Sequence, residues 1–236
     1  MRYLYTYQPV PIARLSEPFA KLKVTAMPRT ANPVRAVRDR IRQAAFSAFM
    51  EKGYAGTSTR EVAARAKVSK QKIYELYKDK DAMLADCIKA RAERARRPLE
   101  LQSASDGGGL KSALEEFGTS FVLELSQPKV VAVFRLAVIE AQKSPQIGHT
   151  LNRLGKEPSI KALSEFLRQA QRAALLAPGD AETMARQFLS LLWGDTMLSL
   201  LLGTKNAASS HEARARARAA TKALLSLHGP GAKTGS

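Results

Sequence analysis

The 236-residue chain has one cysteine, Cys87, so no disulfide can close within it. Its three histidines, His149, His211 and His228, stand apart from one another and from Cys87, which leaves no metal-ligand spacing. No G-x-S-x-G, P-loop or dinucleotide fingerprint occurs, and "DGGGLK" at 106–111 lacks the strand and the trailing Ser/Thr of a phosphate loop. Neither an enzymatic activity, nor a cofactor, nor a metal is expected. Long apolar runs are also missing: "FLSLLWGDTMLSLLLG" at 188–203 carries Asp195 in its middle and is too short and too polar to span a bilayer. The first twenty residues lack the pattern of a signal peptide, so the expected location is cytoplasmic, with no membrane partner.

Acidic residues are scarce as well, 21 against 38 Lys and Arg, for a net charge of +17. Such an excess favours a polyanionic partner. It is concentrated: residues 34–97 hold seventeen Lys/Arg against eight acids, and residues 98–236 only sixteen against twelve. A basic module joined to a mildly basic body is the simplest reading.

Residues 1–33 contain five prolines and no sustained helical period, and read as a flexible basic extension. Met27 begins a plausible natural start, so residues 1–26 are either foreign to the natural protein or a basic arm that touches DNA. From Val34, apolar residues recur at helical spacing (Val37, Ile41, Ala44, Ala45, Ala48, Phe49), and Gly53 ends this first helix. Ser58 opens "STRE", a capping box in which Ser58 serves the Glu61 amide and Glu61 reaches back. A second helix buries Val62, Ala63 and Ala66, a short turn follows, and Ser69 caps a third helix. In that helix Ile73, Leu76 and Tyr77 form the inward stripe, while Lys70, Gln71, Tyr74, Glu75 and Lys78 project outward. Eight residues are too few for a helix that stands alone. Three short helices with a tight turn between the last two make a helix-turn-helix unit, here residues 34–80. Asp79 caps a fourth, connecting helix over 81–98 that ends before Pro98, with Cys87 on its apolar side as a buried structural thiol rather than a reactive one.

The stretch Gly53 to Leu84 resembles the DNA-binding signature of TetR-type transcriptional regulators. The resemblance is carried by Tyr54, Thr57-Ser58, Val62-Ala63, Val68-Ser69, Ile73-Tyr74, Tyr77, Lys80-Asp81 and Met83-Leu84. It departs from the signature at Lys67, where glycine is usual and a positive φ is expected, and at Gln71-Lys72, which replace a commoner small pair. The resemblance implies a sequence-specific regulator, a repressor that binds a palindromic operator in double-stranded DNA as a homodimer and is released by a small-molecule effector. The competing readings are non-specific nucleic-acid binding by a basic helical protein and a body that binds a protein partner. Lys70, Gln71, Tyr74 and Glu75 are placed for base edges in the major groove. Thr59, Arg60, Lys72 and Lys80 are placed for phosphates, and the alternative for every one of these residues is a solvated face.

Residues 99–109, "LELQSASDGGG", read as a loop, and beyond it helical patterns run near 110–126, 130–143, 157–177, 181–203 and 209–228, with a flexible tail at 229–236. The expected class is all-α, the helix-turn-helix domain joined to a C-terminal helical bundle over 99–228 for ligand binding and dimerisation. The segment 181–203 is apolar nearly all round, and so is either core or partner-facing. Ser190 and Gly194 allow close helix approach and Leu198 and Leu202 add contact area, while the resemblance implies that this helix and 209–228 form a four-helix interface with a second chain. Phe117, Phe121, Phe134, Phe166 and Trp193 are either core or the lining of a ligand cavity. Asp195 is either paired with an arginine or hydroxyl, or placed for a cationic ligand.

Overall fold

The computed structural model describes residues 33–104, 106–142 and 145–230. The expected extension through residue 32, including residues 1–26, lies outside the described residues, as does most of the expected tail. All regular structure among the described residues is helical. The elements are α1 (Pro33–Gly56), α2 (Thr59–Ala66), α3 (Lys70–Leu76), α4 (Lys80–Leu101), α5 (Gly107–Leu125), α6 (Pro128–Ile139), α7 (Gln146–Leu151), α8 (Glu157–Arg172), α9 (Ala181–Trp193), α10 (Thr196–Leu202) and α11 (Ser210–His228). A π-helical segment, Asn152–Lys156, joins α7 to α8.

Caps define the N-terminal helices. Ser58 Oγ accepts from the Glu61 amide at 3.2 Å, Ser69 Oγ from the Lys72 amide at 3.0 Å, and the Asp79 carboxylate from the Ala82 amide at 2.7 Å. The expected return contact from Glu61 is replaced, because its carboxylate binds Arg65 at 2.7 Å and Lys52 at 3.0 Å. The Lys52 contact, followed by Arg65, holds the Glu61 carboxyl below the usual carboxylate range. Between α2 and α3, Lys67 adopts the left-handed conformation (φ 53, ψ 49), and the amides of Lys67 and Val68 close on the carbonyls of Ala64 and Ala63.

Three expected boundaries need correction. α4 does not stop at Pro98 but continues to Leu101. Ala95 and Leu99 are buried in the body on either side of the proline, and that packing offsets the lost backbone hydrogen bond. Both ends of the expected 99–109 loop are therefore helical: Asp106 accepts from the Gly109 amide and starts α5 at Gly107. The 181–203 segment is two helices, because Gly194 (φ 47, ψ −125) leaves the helical region. Arg216 secures this break by donating to the carbonyls of Leu192 and Trp193, and pairs with the exposed Asp195 at 3.7 Å. α7 and the π-helical segment are additions to the expected elements; Ile147, Leu151 and Leu154 of "QIGHTLNRLGK" recur at i, i+4 and i+7 and pack against the core.

Two apolar cores result. One packs α5, α8, α9 and α11 around Phe117, Leu163, Phe188, Leu192 and Leu224. There Gly118 lets α5 approach α11 closely, since a Cβ would lie 3.0 Å from that of Ala217. The other joins Ile41, Phe49, Val62, Ile73 and Met83 of the first four helices to Val130, Val133 and Ile147. The core of the helix-turn-helix unit thus extends into α6 and α7, so motion of those helices reaches the unit directly.

Candidate nucleic-acid interface and cavity

Helix α3 buries Ile73 against α1 and α2 and presents the opposite side to solvent, where Lys70, Gln71, Glu75 and Tyr74 (51% exposed) lie. Tyr77 ends the helix and is buried; its hydroxyl donates to Asp86 at 2.6 Å, and Arg38 lies 5.3 Å from its ring centroid. Burial first, then Asp86, pushes the Tyr77 pKa up, so this phenol stays protonated. The inward and outward sides of α3 are therefore fixed by packing.

On the outward side the Tyr74 hydroxyl lies 3.3 Å from Thr59 Oγ1, and Lys70 Nζ sits 5.7 Å from the Tyr74 ring centroid. The tyrosine is thereby braced against the start of α2, and Arg60 next to it is exposed, with no ion-pair partner among the described residues. Lys72 pairs with Glu75 at 2.7 Å, which positions the carboxylate and offsets its repulsion from a phosphate backbone. The result is a convex helix of mostly cationic and hydrogen-bonding side chains, a shape that fits the major groove. Lys80 is a different case from its neighbours. Its amine turns inward, donating to the carbonyls of Tyr54 at 2.6 Å and Thr57 at 3.3 Å above the Tyr54 ring, while the Tyr54 hydroxyl binds Asp81. In this geometry the amine is engaged by the chain's own carbonyls rather than directed outward to a phosphate, and it ties the start of α4 to the turn between α1 and α2.

Between the two cores lies a cavity of about 960 Å³. Phe46 of α1 and Cys87, Ile88 and Arg91 of α4 form one wall; Phe121, Ile160, Leu189 and Trp193 of the body form the facing one. Of the five aromatics singled out in the sequence, Phe121, Phe134 and Trp193 line it. Phe117 and Phe166 do not, being packed in the body core, with Phe117 6.2 Å from Phe188. Ala137 faces the cavity, and so do Ser190 and Gly194, whereas Leu198 and Leu202 are 60% and 68% exposed. All four residues expected at the dimer interface are exposed, and Ser190 and Gly194 border the cavity as well. Neither α9 nor α10 is buried on every side, since Leu191 is exposed too.

The α1 and α4 wall carries no signal in the sequence pattern. Cys87 was recognised as buried, but not as facing a cavity. Burial pushes its thiol up to about 12, and the thiol donates to the Arg42 carbonyl at 3.4 Å, so it is protonated and unreactive in the folded chain. Among the described residues no cluster of His, Cys, Asp and Glu has the form of a metal site, and no helix is long and apolar enough to cross a membrane.

A capped helix-turn-helix whose outward residues fit a DNA groove, set on an all-helical body, defines a DNA-binding regulator. The chain belongs to the TetR family: residues 41–87 match the model for bacterial regulatory proteins of the tetR family, and 112–230 match the AefR-like transcriptional repressor C-terminal domain. That family consists of transcriptional regulators, not enzymes. The chain is 25% identical over 174 residues to the uncharacterised HTH-type transcriptional regulator YvkB of Bacillus subtilis (strain 168), covering 73% of this chain and 87% of the relative. Among solved structures it resembles the flavonoid-responsive regulator FrrA, 30% identical with a TM-score of 0.64 over 83% of this chain and 98% of that one. A TetR transcriptional regulator from Agrobacterium tumefaciens shares the fold at 24% identity, with a TM-score of 0.68 over 85% of this chain and 97% of that one.

Proposed function

We propose that the protein is a homodimeric repressor that reads a palindromic operator through two copies of α3 and leaves it when a small molecule fills the cavity. The observation that carries this reading is the position of the cavity. It separates the core of the helix-turn-helix unit from that of the body, and α4 belongs to the cavity wall and to both cores. A molecule that binds there more tightly in one arrangement of the two cores shifts the spacing of the DNA-reading helices, which is the requirement for coupling. The match to a repressor domain supports the sign of regulation, and the likeness to FrrA, a flavonoid-responsive regulator, supports a small aromatic effector. Leu191, Leu198, Leu202 and Leu227 supply exposed apolar area on α9 to α11 for the second subunit. A cytoplasmic location suits a protein that acts on DNA.

Selection of binding sites from random duplex tests the reading. A two-fold symmetric consensus is expected, with half-sites about one helical turn or more apart. Gln71→Ala and Tyr74→Ala should each cost roughly 1–3 kcal/mol of specific affinity. Binding that is insensitive to sequence favours the alternative carried by the +17 charge, a non-specific nucleic-acid binder.

A further inference from the structure

We infer that the effector is an apolar organic acid, an aromatic or aliphatic body carrying one carboxylate, and that the carboxylate lodges at Arg91. This rests on the reading of the cavity as the effector site. The described cavity wall is mostly apolar, and its only charged residues are Arg91, Lys156 and Arg186. No Asp or Glu lines it.

The three cations differ in what already answers them. Arg186 is matched by Glu182 at 2.7 Å and Glu157 at 3.5 Å, and Lys156 is exposed at the rim. At the other end Arg91 and Arg94 share one carboxylate, that of Glu124, at 3.0 and 3.4 Å. Two guanidiniums against one carboxylate leave this end net positive, with Arg91 on the cavity wall and Arg94, 54% exposed, toward solvent. A second recess of about 260 Å³ adjoins this end, shares Phe46, Cys87 and Arg91 with the cavity, and is lined by Arg42, Arg94 and Lys129 with no acid. Arg42 pairs with Asp39 and Asp86, whereas Lys129 has the Ser47 hydroxyl at 3.1 Å. The thiol of Cys87 is protonated and adds no competing negative charge.

The chemistry discriminates among ligands. A carboxylate entering with an apolar body finds a guanidinium that offers parallel N–H donors, a short charge-assisted pair. An ammonium ion of the same shape finds no carboxylate on the described wall and is repelled by its three cations, so it loses hydration without an ionic partner. Arg91 also lies 5.0 Å from the ring centroid of Phe46 on α1. A carboxylate that draws it away therefore alters a contact between α4 and the first helix of the DNA-reading unit.

The test uses the full chain and two matched sets of probes: 2-naphthylacetic acid with the corresponding alcohol and amine, and decanoic acid with decanol and decylamine. Trp193 fluorescence and calorimetry give affinity, and operator release gives response. In at least one set the acid should bind about tenfold or more tighter than its alcohol and amine, the worth of one charge-assisted pair. Arg91→Gln should abolish that preference with alcohol affinity kept, and Glu124→Gln, which removes the competing carboxylate, should strengthen acid binding several-fold. The opposite signs separate a binding role from loss of fold. Alcohol or amine binding as tightly as acid, with release intact, overturns the acid and leaves the sensor. An acid preference that survives Arg91→Gln overturns the assignment to Arg91. Failure of all six probes to bind overturns the effector-site reading and the acid with it.

Discussion

Replacing Lys80 by Met removes the amine while keeping most of the stem, and so separates a structural lysine from a DNA-contacting one. In the fold the amine donates to the Tyr54 carbonyl at 2.6 Å, more weakly to that of Thr57 at 3.3 Å, and lies 4.3 Å from the Tyr54 ring centroid. One good charged hydrogen bond contributes roughly 1.5–3 kcal/mol, and a partly exposed cation–π contact about 0.5–1. Part of this is lost to solvent competition, so the expected destabilisation is about 2–3 kcal/mol. For a chain of this size that lowers the melting temperature by roughly 4–12 °C. The second measurement is the dependence of operator affinity on salt, taken at a temperature where the variant is folded. A lysine on a phosphate contributes about 0.9 to the slope of log affinity against log salt, or about 1.8 for a dimer on two half-sites. The slope should be unchanged in Lys80→Met. An unaltered melting temperature together with a slope smaller by about 1.8 would refute the reasoning and return Lys80 to the DNA.

Lys67→Gly should raise stability by about 0.5–1 kcal/mol, since the left-handed backbone costs a Cβ-bearing residue more than glycine loses in unfolded-state freedom. A fall in urea midpoint would mean that the Lys67 side chain makes a contact worth more than its strain. Leu198→Asp should leave the protomer folded, because the leucine is exposed, yet yield monomers in sedimentation; a full-strength dimer would move the interface off α10. Gly194→Leu should instead lower thermal stability and ligand affinity, because its φ of 47 and ψ of −125 do not suit a side chain and the residue borders the cavity. Cys87 should resist iodoacetamide in the folded state. Its folded pKa of about 12 lies above the ordinary 9.0, so its contribution is complete below about pH 9 and is lost as pH rises toward 12. A Cys87→Ala variant with the same alkaline decline would assign that decline to other groups.

The sequence alone determined whatever depends on neighbours three or four residues away. Apolar spacing put Ile73 and Tyr77 inward and Tyr74 outward, Ser58, Ser69 and Asp79 marked the helix starts, and Lys67 stood where a left-handed residue is required. Those are local interactions, and local residues specify them. What lies across a helix–helix gap is different. The same periodicity that turned Phe117 and Phe121 inward had no means of separating them, since both join the body core but only Phe121 also borders the cavity, and the difference is the distance between helices. Pro98 marks a helix end by its local cost, and burial of Leu99 overrides that cost. Lys80 reads locally as an outward cation, and in the fold it turns to carbonyls more than twenty residues away. Arg91 acquired its character in the same way, from Phe46 and Glu124, which lie 45 and 33 residues distant. A side chain's local pattern records which side of its own helix it occupies. Its partner, its desolvation and the empty volume beside it are set by elements that reach it only when the chain has folded.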